Sequence, residues 1–520
     1  MPTTPTPAPK SKSRSIPLAL LATLSTSFLA PTCPAQTTVQ YSKGQNNTTE
    51  YDTSAPNNPL TLTTNMIEWA TQSGRITGTG AVYKTGAGIL YLTNASNSYS
   101  GGTYVRFGDL GISDAAVLGT GPVVITEGTI QGGSSNLIFN SSVSLIQPPS
   151  SGGRTFLITT GSLVFGTHTA STLTVTKGAL AIGHYTAFGL GPAAGVSIGA
   201  VTDARSELVA GVMDVGAEGG AGELGVSNGG KIDVSVELRL GHNGGQGTVN
   251  LLTGGHLYIR NALYVSSPAS AFNLAGGTLE LGDRFTTSAD MYLTNASAVL
   301  TDDINRREAS LHGVLSGTGS LAKIGANTLR ITAANTYSGG TVVSVGTLEV
   351  NNTSGSGTGT GTVTVAAGAA LAGNFTISGA TTIAGSLSAG DAHFGSDLTL
   401  TSTATTLLDL NSATSFNTID VAGTLKLDGT IVIVTKSGYV VQSGMVFDLL
   451  GWSSLDAASF DISTDLDLSG TALAAGVTWD TSAFLTHGVL TAVPEPSTYA
   501  LLALGVLGLC MHLFRRRLAY

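Results

Sequence analysis

The side chains able to do chemistry are few and scattered. Gly195-Val-Ser197-Ile-Gly199 and Gly225-Val-Ser227-Asn-Gly229 both spell Gly-x-Ser-x-Gly, the setting of an activated serine on a strand-to-helix turn. In a chain with 69 glycines that spelling arises by chance, and no helical pattern follows either copy. Asp465-Leu-Asp467-Leu-Ser-Gly470 opens like a calcium loop, but Gly476 occupies the position where a bidentate Glu is needed. Alternating Asp and Leu describe a half-exposed strand more simply. Gly219-Gly220-Ala-Gly222-Glu223 echoes part of a calcium-binding nonapeptide, with Glu in place of Asp and no second copy. The histidines from His168 to His487 show no ligand spacing. Asp283, Asp302, Asp303, Arg306 and Arg307 form the one dense charged cluster of the mid-chain. Carboxylates beside an arginine base could cleave an acidic polysaccharide; the plainer reading is a solvated loop. No catalytic, cofactor-binding or metal-ligating residue is therefore assigned, and no cofactor is expected.

The elements that would position such groups follow from composition. Only 11 % of the 520 residues are charged while 42 % are hydrophobic, and mean hydropathy is +0.26. Val, Leu and Ile in a background of Gly, Ser, Thr and Asn suit many short strands joined by turns. Low charge with this apolar content argues against disorder.

The first 35 residues read as a secretory signal peptide. Lys10, Lys12 and Arg14 supply the positive region, Ile16–Ala30 the apolar stretch, and Cys33-Pro34-Ala35 the small residues before a cut between Ala35 and Gln36. A lipoprotein reading fits poorly, because Pro31 and Thr32 precede Cys33. At the other end, Val493-Pro494-Glu495-Pro496-Ser497 precedes an apolar run, Tyr499–Phe514, and Arg515, Arg516 and Arg517. As a helix that run covers roughly 24 Å, and snorkelling arginines would complete a span of a ~30 Å hydrocarbon core. The arginines are expected to stay cytoplasmic and the body outside. Removing both ends leaves 17 basic and 31 acidic side chains, a net charge of −14 in place of −9. Such a body does not favour nucleic acid. Cys33 and Cys510 both fall in the removed ends, so the body is expected to stand without disulfides.

The Pro494-Glu495-Pro496 triplet, the short apolar helix and the terminal arginines resemble the PEP-CTERM sorting signal of Gram-negative bacteria that make exopolysaccharide. The resemblance covers about 28 residues of the chain. It implies recognition of residues 493–517 by an exosortase in the inner membrane, after export by the Sec machinery, with loss of the tail.

The body repeats itself. Lys84-Thr-Gly86-Ala-Gly-Ile-Leu90-Tyr-Leu92 precedes Asn97-Ser-Tyr99-Ser-Gly101-Gly102-Thr103-Tyr-Val105, and the same wording returns at Lys323–Ile331 and Asn335–Val343. Lys84 and Lys323 lie 239 residues apart, and Asn97 and Asn335 lie 238 apart. These copies, near 84–131 and 323–350, resemble the autotransporter-associated β-strand repeat, which implies a right-handed parallel β-helix. Between them, Gly229-Gly230-Lys-Ile-Asp-Val, Gly254-Gly255-His-Leu-Tyr-Ile and Gly276-Gly277-Thr-Leu-Glu-Leu recur at 25 and 22 residues. That unit reads as a glycine corner followed by a strand whose alternate side chains stack on the coil below. Ser354–Gly361 reads as a wide loop between coils.

The expected fold is all-β. A parallel β-solenoid over 36–396 is followed by a β-rich cap over 397–490, with a signal helix before them and a transmembrane helix at 499–514 behind. A classical autotransporter would end in a barrel of alternating strands, which this C-terminus does not resemble. The expected function is a non-catalytic structural or adhesive protein, held transiently at the inner membrane and then surface-bound or extracellular, with exopolysaccharide or further copies of itself as partners. The alternative is a β-helix polysaccharide lyase or hydrolase.

Overall fold

The computed structural model describes residues 37–495 apart from 55–58, 67, 134–136, 147–155, 160–161, 166–171, 177–178, 183–184, 191–195, 203–205, 283–284, 296–297, 303–307 and 437, and beyond them residues 505–512 and 515. Three strands make one coil. Gln246–Leu252, His256–Ile259 and Ala262–Val265 pass round three faces, and Ala271–Ala275 then returns beside Gln246–Leu252. The first face is a 13-stranded parallel sheet running from Thr37–Tyr41 to Leu315–Gly317. The parallel ladders of the other faces continue to Leu450–Asp456 and Leu466–Gly470. This is the expected parallel β-solenoid.

Register follows the glycine corners. Ile232 pairs with Leu257 and Leu257 with Leu279, so the apolar positions of the three Gly-Gly units stack directly, each at most 1 % exposed. At the corners Gly229 and Gly254 hold φ of +87° and +73°. A Cβ on Gly255 would stand 2.3 Å from the Val226 carbonyl oxygen, so glycine is required at that position by space. Longer strands, Glu207–Ala217 and Lys231–His242, bend across two faces, with a register shift between Ala210 and Val212 marking the bend.

Two expectations are refined. Asn335 N–H donates to the Ser356 carbonyl, and Thr360 N–H donates to the Tyr337 carbonyl. Ser356 and Thr358 are buried. The glycine-rich run 354–361 is thus an irregular rung of the coil rather than a wide loop, small side chains letting neighbouring backbones approach. Residue 397 coincides with no change in pairing either, because parallel ladders persist through Leu398–Leu400, Thr405–Leu410 and Thr430–Thr435. The end is closed by an antiparallel sheet of Val446–Asp448, Val489–Pro494 and Val477–Asp480, with the short helix Phe484–His487 beside it. Phe447 packs edge-on against Phe416 at 5.3 Å and Trp479 at 5.8 Å, sealing the apolar column.

Residues 1–36, which hold the expected signal peptide and its cut between Ala35 and Gln36, lie outside the described residues. Residues 505–512 are helical and exposed, and no helix among the described residues is long and apolar enough to cross a membrane.

Candidate functional site

The repeat's polar residues are inside. Lys84 and Lys323 occupy the inward parity of their strands and are each 1 % exposed. Lys84 Nζ donates to the carbonyls of Thr85 at 2.9 Å, Gly86 at 2.7 Å and Phe107 at 3.0 Å. Lys323 Nζ reaches the carbonyls of Ile324, Gly325 and Val345 at 3.2, 2.7 and 3.3 Å. Three ammonium protons meet three corner carbonyls, two on one coil and one on the next. Burial pushes the Lys84 ammonium down to about 8, against the pull of Asp109.

The other signature residues also bridge coils. Asn97 accepts from Ile76 N–H at 2.8 Å and donates to the Val117 carbonyl at 2.8 Å; Asn335 accepts from Leu315 N–H at 2.8 Å and donates to Gly357 at 2.6 Å. Tyr99 and Thr103 are hydroxyl partners at 2.5 Å, Tyr337 and Thr341 at 2.6 Å, and all four are buried. Thr103 gives its proton to the Leu118 carbonyl at 2.9 Å, so Tyr99 is the donor of its pair. Burial raises both tyrosines' pKa values. These residues close corners and leave nothing for a ligand.

Titratable chemistry faces outward in the middle coils instead. Glu207, Lys231 and His256 form one column on a face, and Asp233, Tyr258 and Glu280 form the next. His256 Nε2 lies 2.6 Å from Glu280 Oε2. Burial first, then the charges of Glu207 and Glu280, raise the Asp233 pKa, with Arg260 and His256 opposing. One Asp233 oxygen is buried without a hydrogen-bond partner. Around the edge, Arg239 Nη2 meets the buried Asp214 Oδ2 at 2.9 Å, and His242 lies 3.6 Å from the same carboxylate. The sequence gives histidines no spacing partner, yet His242, His256 and His393 each face a carboxylate on an adjacent coil. Offsets between coils vary, so only the register reveals these pairs.

The singled-out serine motifs lie along strands: Val196–Thr202 holds one from Val196 onward, Gly195 lying outside the described residues, and the other begins in Ala221–Ser227. Neither motif enters a helix among the described residues. Asp467 sits in Leu466–Gly470 and bonds Ser469 N–H, a local turn. Of the mid-chain cluster, Asp283, Asp303, Arg306 and Arg307 lie outside the described residues, and Asp302 ends the strand Ala298–Asp302.

The sorting motif begins inside the closing sheet. Pro494 pairs with Val477, and Glu495 N–H donates to the Gly476 carbonyl at 2.9 Å. Arg515 is exposed, while Pro496, Arg516 and Arg517 lie outside the described residues.

Comparison with known proteins agrees with this geometry. Residues 82–110 and 321–350 match the Passenger-associated-transport-repeat, and residues 492–517 match the PEP-CTERM protein-sorting motif. The Adhesin BmaC autotransporter of Brucella suis biovar 1 (strain 1330) is 30 % identical in an alignment 230 residues long that covers 38 % of this chain. The chain spans 7 % of that relative's length. The class so defined is an exported surface β-solenoid. Within it, this chain carries passenger-type repeats in its body and a PEP-CTERM motif at its C-terminal end.

Proposed function

We propose that the chain is a non-catalytic structural or adhesive protein of the cell surface. Exosortase-type machinery would sort it after transient retention at the inner membrane through 499–514. The observation that carries this reading is the pairing of a passenger-repeat solenoid with a PEP-CTERM motif, together with similarity to an autotransporter adhesin. The interior supports it: the repeat's Lys, Asn, Tyr and Thr groups are consumed in closing corners, and the charged columns face outward. Exopolysaccharide and further copies of the chain are the partners such a surface fits.

The test is where the chain goes. In cells that produce it, the extracellular form should begin near Gln36 and lack Arg515–Arg517 by intact mass. Pro494→Ala combined with Glu495→Ala should leave the chain in the inner membrane. Release of that double variant with its arginines gone would defeat the sorting reading.

A further inference from the structure

The closing sheet and the sorting motif share one strand. Val489–Pro494 is the central strand, antiparallel to Val446–Asp448 on one side and Val477–Asp480 on the other. Leu490 and Ala492 point into the end of the solenoid and are 0 % exposed. Gly444 N–H reaches the Ala492 carbonyl at 2.7 Å, and Ala492 N–H reaches Met445 at 2.8 Å. Pro494 cannot donate, which suits a position where the strand keeps one paired neighbour, Val477, and the ladder to Val446–Asp448 has already ended. Glu495 N–H then carries the ladder one residue further, onto Gly476. Trp479, opposite Ala492, is fixed by its indole N–H to Thr471 Oγ1 at 3.0 Å and by its ring against Phe447. No slack separates body and motif: the first two residues of the Pro-Glu-Pro triplet are backbone-paired in the fold, and Pro494 keeps its side chain exposed.

We infer that the folded closing sheet presents the motif to the sorting enzyme, so that an unclosed solenoid is not sorted. This rests on the sorting function proposed above. It makes the strand Val477–Asp480 and the Gly476 carbonyl positioning elements for a reaction carried out by another protein. The device would couple export quality to release, since Pro494 and Glu495 acquire their fixed geometry only once Leu490 and Ala492 are buried.

Two spacers test it in cells that carry out the processing. A ten-residue Gly-Ser spacer between Thr491 and Ala492 keeps residues 492–517, the whole matched motif with its helix and arginines, but detaches the motif from the sheet. The expected result is several-fold more chain retained in the membrane with its tail. The same spacer between Ser497 and Thr498 lengthens the tether without detaching the motif, and should leave release unchanged. Release of the first variant at the natural rate overturns the inference; equal retention of both does so too, because tether length would then be what is read. Pro494→Ala with Glu495→Ala runs in parallel: if it is released like the natural chain, the sorting function itself fails. Should the first spacer unfold the body, hydrogen exchange on the unprocessed natural chain decides. Slow exchange at Ala492 and Glu495 is expected, and exchange at Glu495 as fast as in a free peptide refutes presentation by the sheet.

Discussion

The coils of the repeat copies and the coils between them solve the same problem with opposite polarity. Around 82–110 and 321–350, a lysine, an asparagine and a tyrosine–threonine pair are buried, and few charges face outward. Across 207–281 the interior is apolar apart from Asp214, and charge lies in outward columns. In the first region a sharp corner exposes carbonyls to the interior, and side chains satisfy them. In the second, long strands bend continuously across two faces, so the ladder itself absorbs those groups. The recurring residues of such a repeat therefore mark closure of the coil, and the coils between the copies carry their charge on outward positions.

The contrast can be broken most forcefully from within. Leu329, 1 % exposed, stacks between Ala309 and Leu348. Leu329→Asp should cost on the order of 4 kcal/mol, read by chemical denaturation, because the carboxylate has no partner there. Lys323→Met leaves three corner carbonyls without their donor and should cost about 3 kcal/mol. Lys231→Met, on an outward column, should change stability by no more than about 0.5 kcal/mol. Equal losses for Lys323→Met and Lys231→Met would erase the distinction between the regions. Arg239→Met should fall between them, at about 2 kcal/mol, since it removes the guanidinium from the buried Asp214 and leaves His242 beside the carboxylate.

Alkali probes the same interior more gently. Tyr41, Tyr99 and Tyr337 have folded pKa values raised by burial. Above the ordinary tyrosine pKa of about 10 the unfolded chain releases protons that the folded chain keeps, so stability is intact below that pH and falls as pH rises through it. Tyr99→Phe should shallow that decline in a series of melting curves, and an unchanged slope would count against the buried tyrosine as its source.

Much of this arrangement is legible in the sequence. The Gly-Gly units at 25- and 22-residue spacing are found stacked in register, because glycine corners fix where each strand restarts. Leu90, Leu92, Leu329 and Ile331 are buried as period two requires. The burial of Lys84 had a signal that composition hides: it shares parity with Val82 and recurs as Lys323 beside Leu321. The cross-coil pairs Arg239–Asp214 and His256–Glu280 had none, since the offset between paired residues of neighbouring coils varies, being 16 residues at Ala370↔Ser386, 25 at Lys231↔His256 and 31 at Ile419↔Leu450. Where the parallel coils give way to the antiparallel closure was equally hidden, because strands of both kinds share one composition.

The claim that outward chemistry meets partners without cutting them has one direct test. The extracellular protein is incubated with uronate-rich exopolysaccharide and calcium, and bound protein and glycan chain length are measured together. The account predicts co-sedimentation, or assembly of the protein with itself, and an unchanged chain-length distribution. Shortened chains carrying unsaturated, ultraviolet-absorbing ends, abolished by Arg306→Ala or Asp233→Asn, would contradict it.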